Sequence, residues 1–179
     1  MIYSAIASLN GYVNDASGNF GWAMPDEDVH GYVNELMRPI RTHLYGRRLY
    51  EVMSAWQEMG TSPDEPEVIR DFGEQWRAAD KVVYSTTLDE VSTPRTRLER
   101  AFDAAAVRAL EGDVLVGGPG LAAHAFGAGL VDLVSIVVVP AVVGGGTAAL
   151  PSAVELRLEL LDEHRFANGF VALSYAVSR

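Results

Sequence analysis

The sequence predicts an α/β fold with a central mixed, mostly parallel sheet, helices on both faces and a C-terminal antiparallel hairpin. Three observations carry this. Short apolar runs alternate with stretches of helical periodicity along the chain, the pattern of strands joined by crossover helices. The run Val114 to Val116 ends in Gly117-Gly118, and a small-residue helical segment from Leu121 to Ala128 follows. Two further strand-like runs, Leu156 to His164 and Phe170 to Val177, flank Asn168-Gly169, a strong hairpin turn.

The bulk numbers fit one domain spanning residues 1–179, long enough to bury a full core. Hydrophobic residues make up 49% and charged ones 21%, an ordinary globular balance. A formal charge of −10 speaks against a nucleic-acid or anionic-membrane surface. With no cysteine there is no disulfide, thiolate metal site or cysteine nucleophile. The N-terminus shows no basic leader, and no apolar run is long enough for a membrane helix, so a cytoplasmic protein is expected.

Taken in order, Ile2 to Leu9 reads as a strand that Asn10-Gly11 turns. Tyr12 to Asn19 is rich in turn formers and reads as a loop, and Trp22 to Asp28 leads into a helix. Its apolar positions are Val29, Tyr32, Val33, Leu36 and Met37, with Pro39 as the stop. His43 to Tyr45 is a short strand closing on Gly46, after which Arg47-Arg48 open a helical stretch carrying Tyr50, Met53 and Trp56. Thr61 to Glu67 is loop, and Val68 to Ala79 a helix with Ile69, Phe72 and Trp76 inward. Lys81 to Thr87 is a strand ending in hydroxyls, and Arg97 to Glu99 a further short one. Asp103 caps a helix through Leu110 that Gly112 ends. Val131 to Val139 is apolar strand ended by Pro140, with Ile136 to Val139 equally suited to an edge or a core position in the sheet, and the glycine cluster Ala141 to Thr147 follows.

Three places offer chemistry. A strand feeding Gly117-Gly118 and a helix start exposes backbone amides that suit a phosphate, although a tight turn without ligand fits as well. Gly46 with Arg47 and Arg48 supplies bidentate donors for a phosphate ester, or merely surface arginines. Asp26, Glu27 and Asp28 cap a helix and complement its dipole, or one of them points into a cleft toward a polar heterocycle. Gly118-Pro119-Gly120-Leu121-Ala122-Ala123 fits G-x-G-x-x-A, but the acid that holds a ribose about 20 residues further on is missing, which argues against a dinucleotide-binding Rossmann unit. There is no G-x-S-x-G elbow, and His30, His43, His124 and His164 have no metal-ligand spacing.

In order and spacing, a set of segments resembles the dihydrofolate reductase superfamily, nearest to stand-alone relatives of the reductase half of the bifunctional riboflavin-biosynthesis deaminase/reductase. The segments are Ser8-Leu9-Asn10-Gly11, Trp22 to Asp28, Gly46-Arg47-Arg48-Leu49-Tyr50-Glu51, Val83-Tyr84-Ser85-Thr86, Val116-Gly117-Gly118 and Pro140 to Thr147. The resemblance implies a dihydrofolate-reductase-like three-layer fold and an NADPH-dependent reductase of a pyrimidine- or pterin-like compound. It implies that Gly46, Arg47 and Ser85, with Arg48 or Thr86, hold the 2′-phosphate. Gly117, Gly118, Gly120 and Leu121 would take the pyrophosphate and line the nicotinamide side, with a cis peptide in the glycine pair. Ala7, Val13 and Gly18 would form the nicotinamide wall and lid. Asn10, Trp22 and Asp28 would meet substrate, with Asp28, or Asp26 in a shifted register, as the catalytic carboxylate. Homodimerisation through the sheet edge and C-terminal strands is also implied.

Two departures stand out. Relatives read S-x-D-G where this chain has Asn10, and Leu49 replaces a threonine that contacts the cofactor phosphates. The deaminase half has no counterpart, since both H-x-E and P-C-x-x-C are missing. The rival reading is a non-catalytic protein of the same fold that holds a pterin, flavin-like or drug ligand.

Overall fold

The computed structural model describes residues 1–178. Its elements are β1 (Ile2–Ser8), β2 (Tyr12–Asn14), a 3-10 turn (Gly21–Ala23), α1 (Glu27–Met37), β3 (Ile40–Gly46) and α2 (Arg47–Met53). A second 3-10 turn (Ser54–Gln57) leads to α3 (Glu67–Ala78), β4 (Asp80–Tyr84), β5 (Thr96–Glu99), α4 (Ala104–Arg108) and β6 (Asp113–Gly117). The chain ends in α5 (Pro119–Gly127), β7 (Leu133–Val139), β8 (Thr147–Ala148), β9 (Arg157–Arg165) and β10 (Val171–Ser178).

Eight strands form one sheet in the order β5-β4-β3-β6-β1-β7-β10-β9. The first six are parallel, and β10 and β9 add the antiparallel hairpin. Alternation along each strand sends side chains to two cores. On one face Tyr3, Leu44, Val82, Val114 and Val116 meet Val107 of α4 and Leu121, Ala122 and Phe126 of α5. On the other, Val137, Val139 and Ala172 meet Val29 of α1, and Ile40 and Leu115 meet Met37, Phe72 and Trp76 of α1 and α3. This is the expected three-layer arrangement. Burying a side chain the size of Trp76 stabilises the fold by roughly 2–3 kcal/mol.

The strand alternatives left open for residues 136–139 resolve to an interior position, because β7 lies between β1 and β10 and β9 forms the edge. Several boundaries differ from the sequence expectation. Tyr12 to Asn14 forms strand rather than loop, pairing with Thr147 and Ala148 from the late glycine segment. No local pattern announces a pairing so remote in sequence. The strand expected over Lys81 to Thr87 stops at Tyr84, since the hydroxyl of Ser85 turns the chain by accepting from the amides of Thr87 and Leu88. Trp56 lies on a 3-10 turn instead of a helix.

The sheet topology also opens a crevice. β1 pairs with β6 only at Ile2↔Leu115 and Tyr3↔Val116, whereas it follows β7 as far as Ser8↔Val139. Beyond Tyr3 the two strands part. β6 is followed by α5 on one face, while its neighbours β3 and β1 are followed by helices on the other. That divergence at the carboxyl ends of parallel strands is where open α/β sheets admit ligands.

Candidate active site

The glycine pair sits at the mouth of this crevice. Gly117 is the last residue of β6, and Gly118 precedes α5 with φ of 81°, a conformation that only glycine adopts without strain. A Cβ on Gly117 would come within 2.6 Å of Leu49 Cδ2 and 3.1 Å of the Tyr45 ring, so this position has no room for a side chain. The expected cis peptide is not found, since no peptide bond among the described residues is cis. The positive φ at Gly118 accomplishes the turn instead. Gly120 opens to free space, and buried Leu121 packs beneath Gly46. Leu49 therefore floors the turn with hydrocarbon.

A second arm stands beside the first, at the ends of β3 and β4. Arg47 donates from Nε to Glu51 at 2.7 Å and from Nη1 to the Thr87 hydroxyl at 3.0 Å. Thr87 in turn belongs to the turn that the Ser85 hydroxyl caps. Arg48 and Thr86 are exposed at the same corner. Sequence reasoning missed two members of this arm, Thr87 and Arg100. The Arg100 guanidinium donates to the carbonyls of Ser85, Leu88 and Asp89, at 3.1, 2.6 and 3.4 Å. Only three-dimensional proximity identifies it.

The third group gathers where β1 and β7 end. Ala7 is buried under the crevice, and Val13 lies on β2. Gly18 (φ 85°) sits in a compact loop whose centre is Asp15. One carboxylate oxygen of Asp15 accepts from the Ser17 hydroxyl and the amides of Ser17 and Asn19, and these bonds hold its carboxyl below the ordinary range. Trp22 donates its indole N–H to the carbonyl of Asn19. Asn10 is spent internally: its carboxamide accepts from the Val143 amide at 3.1 Å, donates to the Val143 carbonyl at 2.7 Å and accepts from the Ser8 hydroxyl.

The two candidate carboxylates separate cleanly. Asp26 is the cap of α1, accepting from the Val29 amide with one oxygen and from the Asn168 amide group with the other. Its capping role is thus the one the helix uses, and both oxygens are engaged. Asp28 is exposed in the first turn of the helix, at the same end of the sheet.

Below the arms lies a buried polar group that the sequence did not single out. His43 and Lys81 are register partners on β3 and β4, and Tyr45 shares their face. The Tyr45 hydroxyl meets His43 Nδ1, while Lys81 donates to the carbonyls of Trp76 and Ala79 and lies 4.3 Å from the Trp76 ring centre. Burial drives the Lys81 ammonium down to about 8 and the His43 imidazole down to about 4, and it raises the Tyr45 phenol. Among the described residues no cluster of histidines and carboxylates suits a metal ion.

Comparison with known proteins agrees with this architecture. The RibD C-terminal domain model matches residues 1–172. A crystal structure from Shewanella sp. PV-4, provisionally assigned to riboflavin biosynthesis, superposes with a TM-score of 0.74 at 19% identity, over 99% of this chain and 98% of its own. The Thermotoga maritima diaminohydroxyphosphoribosylaminopyrimidine deaminase/5-amino-6-(5-phosphoribosylamino)uracil reductase gives 0.65 at 14% identity, and this chain, covered over 99%, spans 56% of it. A pyrimidine reductase-like protein from Corynebacterium diphtheriae gives 0.60 at 15% identity, over 99% of this chain and 91% of its own. No curated protein matches the sequence. At such identities the superpositions speak for the fold, and the family model carries the membership: this chain belongs to the RibD C-terminal domain family.

Proposed function

We infer that this protein is an NADPH-dependent reductase acting on a pyrimidine- or pterin-like small molecule. One observation carries the reading: the arginine arm at Arg47 and the glycine turn at Gly117-Gly118 stand side by side at the carboxyl ends of the paired strands β3 and β6, next to the crevice where β6 and β1 part. The residues present fit a phosphorylated dinucleotide. Arg47 has its Nε and Nη1 engaged, and no bond from the described residues occupies Nη2. Arg48 is exposed beside it, and Gly120 leaves open space at the start of α5 for a pyrophosphate. Bound NADPH would supply the hydride from its nicotinamide ring.

The chain's own work is binding, orientation and exclusion of water. Arg47, with Thr87 and Ser85 behind it, would hold the 2′-phosphate, with Arg48 or Thr86 beside it. Gly117, Gly118 and Leu121 let the backbone approach closely, and buried Ala7 gives the nicotinamide a flat apolar wall. Val13 and Gly18 belong to the flap above. Asp28 is the carboxylate able to orient a ring nitrogen or relay a proton through water, because Asp26 is occupied by its cap and by Asn168. Trp22 borders the substrate end. Titrating the protein with NADPH and NADH by calorimetry tests the reading: tighter binding of NADPH supports it, and failure of both to bind removes it.

The same reading extends to a homodimer in the cytoplasm. β9 is the sheet edge, all nine of its residues are exposed, and Leu158, Leu160 and Leu161 are among them. The unpaired side of this edge has backbone donors and acceptors open to a further strand, and the three leucines are interspersed with charged residues that would set its register. A sedimenting species of one chain's mass would argue against it.

A further inference from the structure

Resting on the reductase reading, we propose that the substrate is an unphosphorylated heterocycle with an apolar edge, either uncharged or cationic. The argument begins with how charge is distributed. The chain has no lysine or arginine before Arg38 and none between Arg108 and Arg157. Those two intervals supply the substrate end of the crevice: the turn after β1, the flap of β2 and β8, the start of α1 and the segment after β7. The cations Arg47, Arg48 and Arg100 all stand on the other side, at the ends of β3, β4 and β5. Arg165 closes β9, separated from β7 by β10. Alternation along β9 turns it away from the face where its neighbour His164 stacks on Tyr32 of α1.

What the substrate end does present is acidic and apolar. Asp15, Glu27 and Asp28 contribute negative charge. Leu9 and Met24 are each 66% exposed, Val142 72% and Phe20 45%, a concentration of large apolar side chains in water at one end of the sheet. Exposed apolar groups at the mouth of a crevice gain by being covered. Asn10, two residues past the end of β1, already has its donor and acceptor committed to Val143, and the Ser8 hydroxyl that ends the strand is held by Asn10 and the Tyr12 amide. A phosphoribosyl arm would therefore meet carboxylates and hydrocarbon with no cation to receive it. A methylated or otherwise alkyl-bearing ring would cover Leu9, Met24 and Val142 while its polar face turned to Asp28.

The test uses NADPH-saturated full-length protein and two matched pairs of probes, read by calorimetry. The first pair is 5-amino-6-ribosylaminouracil and its 5′-phosphate; the second is 7,8-dihydropterin and its 6,7-dimethyl derivative. The expected results are at least tenfold weaker binding of the phosphate ester than of its parent, and several-fold tighter binding of the dimethyl ring than of the bare one. Met24→Lys, which places a cation on the rim, should narrow the first ratio at low salt and leave the NADPH affinity unchanged. Equal or tighter binding of the phosphate ester overturns the proposal, as does failure of every ring compound to bind while NADPH still binds; the reductase reading survives both. Failure of NADPH itself to bind overturns the two together.

Discussion

Asn10 and Val143 form a closed pair across 133 residues of sequence, the carboxamide accepting from the Val143 amide at 3.1 Å and donating to its carbonyl at 2.7 Å. A carboxylate has only acceptors, so it would keep the first bond and set an oxygen against the second. Asn10→Asp should lower stability by about 1 kcal/mol at neutral pH, the net worth of one hydrogen bond at a site that water reaches. Only the protonated acid can donate to Val143, so the folded state raises that carboxyl's pKa. The penalty should shrink as pH falls below the ordinary carboxylate range, which melting curves at pH 7 and pH 4 will show.

Arg47→Ala removes the guanidinium that Thr87 and Glu51 hold in place. Charge-assisted bonds to a phosphate contribute roughly 1.5–3 kcal/mol. Binding of NADPH should weaken about 10- to 100-fold, with NADH affected far less. Equal losses for both dinucleotides would take Arg47 out of the phosphate site.

Gly117→Ala forces a methyl group to 2.6 Å from Leu49 Cδ2. Overpacking of this kind costs about 1–3 kcal/mol. Leu49→Ala alone removes buried hydrocarbon, yet in the double variant it should recover part of the loss, because the two changes share one volume. Strictly additive melting temperatures would contradict the contact.

Burial lowers the Lys81 ammonium from 10.5 to about 8. Between those values the unfolded chain binds the proton and the native one does not, so stability should rise with pH from about 8 toward 10. Lys81→Met should remove that slope, because the titrating ammonium is gone, while the Trp76 and Ala79 carbonyls lose their donor at every pH.

The acid side carries the mirror case. His43, lowered by burial from 6.5 to about 4, stays neutral in the native state while the unfolded chain takes up a proton. Stability should therefore decline as pH drops from 6.5 toward 4, by up to roughly 3 kcal/mol for a shift of this size. His43→Asn keeps an acceptor for Tyr45 near the position of Nδ1, and its unfolding curve should flatten over the same interval.

Much of the fold was legible because it rests on local patterns. The 3.6-residue spacing from Val29 to Met37 and the Asp103 cap reappear as α1 and α4 at nearly the expected boundaries. The turn at Gly117-Gly118 was legible too, since the positive φ at Gly118 suits glycine alone. What escaped is what depends on distant partners. Nothing near Arg100 in sequence indicates that it clasps three carbonyls of a turn, and nothing near Asn10 indicates that its side chain is already engaged. Lys81 reads as a surface residue until Trp76 and Ala79 are seen to surround it.

The stitching of the first 26 residues to the last fifty has a kinetic consequence. Besides Asn10 with Val143, the Tyr3 hydroxyl reaches the Ala149 carbonyl, and Asp26 meets Asn168 across 142 positions. β1, the middle of the sheet, thus waits for the final third of the chain before its outer neighbour exists. Search entropy for such closures slows folding. A nascent chain released from synthesis near residue 130 would hold the Arg47 corner and the glycine turn, but would have no rim, so recovery of ligand binding after dilution from denaturant should lag behind recovery of helical signal.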